Sequence, residues 1–109
     1  MRRPHTFAPL TVEAGRLLGA RIKLARVERR WTLQELADRI GVTHTTMRKV
    51  ERGDLTVGLG VAFEAATIVG VTLFDDDETR RSVELSRVAD RLALLPKATR
   101  KSVTINDDF

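Results

Sequence analysis

The sequence predicts an all-α protein, and three observations carry that prediction. Apolar residues recur at helical spacing in successive stretches from Leu18 to Leu95. Capping residues and glycines punctuate these stretches where helices start and stop. Strand-like alternation occurs only in Ser102-Val103-Thr104-Ile105, which allows at most one small strand.

In chain order, residues 1–11 contain Pro4 and Pro9 and no helical period, so they read as an extended arm. Its Arg2 and Arg3 can reach a phosphate, although ragged basic termini are common. A first helix is expected from Thr11 or Val12 to about Arg30, with Leu18, Ile22 and Ala25 inward and Leu17 beside them. Its other face carries Arg16, Arg21, Lys23, Arg29 and Arg30. Trp31 falls where the chain enters the next helix and is expected to pack on the core.

The stretch from Thr32 to Gly53 has the grammar of two short helices joined by a tight turn. Thr32 and Glu35 stand at the spacing of a capping box, in which each side chain satisfies the other's backbone amide. Leu33, Leu36, Ala37 and Ile40 make one helical face, and Gly41 can take the left-handed conformation that ends it. Thr43 is then a good N-cap for a helix from His44 to about Glu51. Met47 and Val50 point inward, which leaves His44, Thr45, Arg48, Lys49 and Arg52 outward.

A fourth helix follows the Thr56-Val57-Gly58 loop, with Leu59, Ala62, Phe63, Ala66 and Val69 as its buried face and Gly70 as its end. Thr72 can cap a brief turn carrying Leu73 and Phe74, before an acidic loop or first turn at Asp75 to Glu78. From Glu78 to Leu95, the residues Leu85, Val88, Leu92 and Leu95 form an amphipathic stripe flanked by Val83 and Ala89 and stopped at Pro96. That stripe needs cover from its own body, a second copy or another protein. Residues 96–109 read as a flexible tail whose Val103 and Ile105 could pair with their twins in a dimer. The expected organisation is an arm (1–11), a helical domain (12–74), a dimerisation or partner helix (75–95) and a tail (96–109).

Composition narrows the function. The 109 residues suffice for one modest core. Without cysteine there is no disulfide or thiolate metal site, and a reducing cytoplasm is compatible. Two histidines do not make a metal cluster. The mostly apolar run Val57 to Phe74 is interrupted by Glu64, which would cost ~2.5–3.5 kcal/mol in a bilayer, so a core helix is expected and not a membrane span. No nucleophile with a base, paired carboxylates or phosphate-cradling loop is spelled, so no enzyme and no cofactor are expected. The net charge is +4; residues 12–54 hold ten Lys or Arg against six Asp or Glu, and residues 55–109 seven against nine. The basic excess therefore travels with residues 12–54, as a phosphate-binding half requires.

Leu36, Ala37, Ile40, Gly41, Val42, Met47, Val50, Glu51, Arg52 and Gly53 stand at the framework positions of helix-turn-helix repressors of the Cro and phage-repressor type, the XRE family, which this stretch resembles. The resemblance runs from Leu18-Gly19-Ala20-Arg21-Ile22 to about Phe74. It implies a five-helix lambda-repressor-like domain, here with an extra C-terminal amphipathic helix and a short tail. It also implies double-stranded DNA as partner, with His44, Thr45 and Lys49 at the base-reading positions. Thr43 and Thr46 would face phosphates, and Arg48 and Arg52 the backbone or solvent. The family's pairing of an early arginine with a glutamate late in the second motif helix falls on Arg26 and Glu51. Many relatives carry glutamine where this chain has Leu33, so Gln34 is the substitute phosphate contact.

Such regulators act as homodimers. The end from Leu92 through Lys97 to Asp-Asp-Phe is similar to those of small XRE-family antitoxins and HipB-like partners of toxin kinases. This implies an autorepressor of a toxin-antitoxin operon with a toxin partner such as a HipA-like kinase. The alternatives are a phage-type or stand-alone repressor, and an interaction module that does not bind DNA.

Overall fold

The computed structural model describes residues 6–96, and its helices are α1 (Pro9–Glu28), α2 (Leu33–Ile40), α3 (His44–Arg52), α4 (Leu59–Val69) and α5 (Glu78–Leu94). The architecture is all-α, with no strand among the described residues. Arg2 and Arg3, and Val103 and Ile105 with the strand expected around them, lie outside the described residues. The chain divides into two compact units, one ending at Leu73 and one beginning at Phe74.

In the first unit α1 packs against α3 and α4, and α2 packs against the same two helices. The core holds Ile22, Leu36, Ala37, Met47, Val50, Ala65, Ala66 and Val69. Only Ile22, Leu36, Met47 and Val69 are large and fully sealed, each worth ~1.5–3 kcal/mol of burial. With so small a core, helix ends and polar contacts carry much of the specificity.

α1 starts earlier than the arm-and-helix reading expects. Proline signals a break in a helical pattern, yet Pro9 occupies the first turn, where its missing N–H has no intrahelical partner to lose. Ala8 precedes it without a side-chain cap. The inward face is also corrected: Ile22 and Gly19 are buried and Leu18 and Ala25 half-buried, while Leu17 is exposed. The outer face is not purely basic, since Leu10, Leu24 and Val27 stand exposed on the same helix.

α1 ends in an unusual way. Arg30 adopts φ 60°, and its amide donates to the Val27 carbonyl while Trp31 donates to that of Arg26. This is the Schellman arrangement with arginine at the position glycine normally takes. Trp31 is half-buried against the core, and the Arg39 guanidinium lies 3.9 Å from its ring centroid.

α4 is buried through Ala65, Ala66 and Val69, with Ala62 and Phe63 half-buried and Leu59 68% exposed. The expected stripe differs, for it includes Leu59 and omits Ala65. The sequence LGVAFEAATIV is apolar nearly all round, so periodicity cannot resolve which arc faces in. Beyond Gly70, Leu73 and Phe74 lie in a bend instead of a helical turn.

In the second unit, the Asp77 side chain caps α5 by accepting from the amides of Thr79 (2.8 Å) and Arg80 (3.3 Å). α5 buries none of its residues: Leu85, Val88 and Leu92 are 71, 51 and 65% exposed, and Leu95, just past its end, is 58% exposed.

Candidate nucleic-acid interface

The α2–turn–α3 unit is fixed first by its caps. The Thr32 hydroxyl accepts from the Glu35 amide at 3.0 Å, and the Glu35 carboxylate accepts from the Thr32 amide at 2.7 Å. Gly41 turns the chain at φ 77°, a region closed to most side chains, and its amide donates to Ala37. Thr43 then caps α3: its hydroxyl oxygen accepts from the Thr46 amide (3.1 Å) and its O–H donates to the Thr46 hydroxyl (3.0 Å). The cap leaves the amides of His44 and Thr45 without an intrahelical acceptor, two donors at the positive end of the helix.

Met47 and Val50 are buried under α3, and their placement decides what the other face presents. Thr45, Arg48 and Arg52 are exposed; His44, Thr46 and Lys49 are half-buried. The outward face therefore combines hydroxyls and an imidazole in the first turn with three cations further along. Asp54, just past the helix, tempers this charge: its carboxylate accepts from the Thr56 hydroxyl (2.6 Å) and amide (2.8 Å). Those hydrogen bonds, helped by Lys49 and Arg52, hold its pKa below the usual carboxylate range. Gln34 stands exposed on α2, with its amide donating to Asp38 at 2.8 Å. That bond uses one of the two amide N–H groups and leaves the other to meet a ligand.

Arg26 locks the far side of α3 to α1. Its Nε donates to Glu51 Oε2 at 2.6 Å and its Nη2 to Oε1 at 3.0 Å, a two-pronged pair, while Nη1 donates to the Trp31 carbonyl at 2.8 Å. The side chains are only 12 and 7% exposed, so the pair is shielded from water. One residue ties the second motif helix, the end of the first helix and the entry to α2 together.

The apolar pattern does not disclose a second seat for α3. Gly15 and Gly19 lie one turn apart on the face of α1 that meets the end of α3. A Cβ on Gly19 would stand 2.6 Å from the carbonyl oxygens of both Val50 and Glu51, and one on Gly15 would stand 2.9 Å from that of Gly53. The Gly15-x-x-x-Gly19 spacing, in register with Ile22, is the signal that could have found it.

The helix-turn-helix domain family matches residues 17–93, well over half of the chain. The chain belongs to this family. The helix-turn-helix match takes in most of α1 and nearly all of α5, so the C-terminal helix falls within the matched region. No curated protein and no solved structure matches the chain. No helix among the described residues is long and apolar enough to cross a membrane. A helix-turn-helix domain with this outward face is a DNA-binding regulator module.

Proposed function

We propose that the protein is an XRE-type transcriptional repressor that binds its operator as a twofold pair, each copy placing α3 in the major groove. The observation that supports this most is the division of α3, with Met47 and Val50 sealed below while His44, Thr45 and Lys49 stand outward behind a capped, amide-presenting first turn. In this reading Lys49 donates to guanine, Thr45 packs on a thymine methyl and His44 hydrogen-bonds a base edge. Thr43, Thr46, Gln34, Arg48 and Arg52 serve the phosphates. Occupying a promoter is sufficient to repress it, so no catalytic group or cofactor is needed.

An antitoxin role would add a toxin, such as a HipA-like kinase, as a client of the C-terminal segment. It draws on the resemblance of the chain's end alone, whereas repression draws on the whole α3 face, so the repressor is the conclusion. The test uses duplexes selected by the wild-type chain from a random pool. Lys49→Ala should weaken selected duplexes by ~1–3 kcal/mol more than the pool, and Arg48→Ala should weaken both alike. An equal loss on both DNAs for Lys49→Ala would refute its base-reading role.

A further inference from the structure

We propose that α5 pairs with the α5 of a second copy in an antiparallel arrangement centred between Ser86 and Arg87, sealed by reciprocal Glu84–Arg91 ion pairs. The proposal rests on the twofold reading above and gives it a contact surface and a register.

Leu85, Val88 and Leu92 repeat as the two apolar positions of a heptad, with Leu95 following at the C-cap and Arg81 and Glu78 continuing the stripe toward the start of the helix. All are exposed. In the antiparallel register, Leu85 meets Val88 of the second copy, and Leu92 covers the aliphatic stem of its Arg81. The Arg81 head group already turns away, donating to the Asp75 carbonyl at 2.9 Å. A parallel pair would instead face Arg81 with its twin and Glu78 with its twin, placing like charges in the seam.

The flanks decide the same way. Glu84 and Arg91 border the stripe on one side, separated by two turns, about 10.5 Å along the helix, too far to meet each other. Neither has an ion-pair partner among the described residues. In the antiparallel register Glu84 comes beside Arg91 of the second copy, twice by symmetry, while the opposite border places Ser82 beside Ala89. In a parallel pair Glu84 would face Ala89 instead, and the charges would go unmatched.

The test is sedimentation equilibrium of the full chain without DNA, with circular dichroism confirming that each variant stays folded. Glu84→Arg and Arg91→Glu should each weaken self-association about tenfold, since two attractions become two repulsions. Mixing the two variants should restore association, because every flank then meets its opposite. A mixture no tighter than its components, or a wild-type chain that stays monomeric, overturns the proposal. Orientation is checked independently in this cysteine-free chain. Leu85→Cys and Val88→Cys chains, oxidised together, should favour the mixed disulfide; a preference of the Leu85→Cys chain for its own kind would overturn the antiparallel order. Duplex retention is measured separately: a paired chain that binds no DNA contradicts the repressor reading, and a DNA-binding chain indifferent to charge reversal contradicts the register alone.

Discussion

Up to Leu73, apolar stripes on four helices close over one another and seal Ile22, Leu36, Met47 and Val69, whereas from Phe74 to Pro96 every residue is exposed although the stripe on α5 is as regular as any. The two regions are alike in capping: Thr32, Thr43 and Asp77 each accept a helix-start amide. They differ in what covers the apolar face. Amphipathic spacing therefore announces that a cover exists without saying which molecule supplies it, and the first unit supplies its own.

Substitutions in each region test this difference. The largest effect is expected at Arg26, where alanine leaves the Glu51 carboxylate charged and shielded and costs ~3–5 kcal/mol. Exposed Arg21→Ala should stay within ~0.5 kcal/mol, and equal melting temperatures for the two variants would remove the pair from the account. Next comes Gly19→Ala, whose methyl would press on the Val50 and Glu51 carbonyls; urea denaturation should show a loss of ~1–3 kcal/mol despite alanine's better helix propensity. Arg30→Gly should act in the opposite direction. Relieving the left-handed φ of 60° is expected to raise stability by ~0.5–1 kcal/mol after glycine's own entropy is subtracted. Leu92→Ala, made in the open region and melted in dilute solution, should change stability by less than ~0.5 kcal/mol, and a larger loss would mean that α5 is covered within its own chain.

The smallest effect concerns pH. The Asp54 pKa is depressed first by the Thr56 hydroxyl and then by the Thr56 amide, so the folded state favours the carboxylate. Its contribution is present above the unfolded pKa and is lost as pH falls through the lower folded value. Thr56→Val should move the Asp54 titration, followed by NMR, upward; an unmoved midpoint would contradict the hydroxyl as principal cause.

What the sequence makes legible follows from how local each signal is. The Thr32–Glu35 box, the Gly41 turn and the Thr43 cap are written within a few residues each, and the inward Met47 and Val50 dictate that His44, Thr45 and Lys49 stand outward. Pro9 misleads because the same ring that breaks a helix also suits its first turn. Leu59 and Ala65 are misassigned because an all-apolar helix has no contrast for periodicity to read. Gly15 and Gly19 escape because their contribution is the absence of a side chain, invisible to an apolar pattern. The hydrogen bond from Gln34 to Asp38 is a matter of competition among neighbours on one exposed turn, which spacing alone does not rank.

Backbone touching backbone at Gly19 has a consequence for how such a regulator can change its target. α3 is seated by main-chain atoms at its C-terminal end, by the buried Met47 and Val50 and by the part-buried Arg26–Glu51 clasp, none of which is a side chain of His44, Thr45 or Lys49. The lettering on the outer surface can then be rewritten without disturbing the hand that holds it. On the proposed base-reading roles, exchanging those three side chains for others should retarget the protein to new DNA while its melting temperature stays nearly constant.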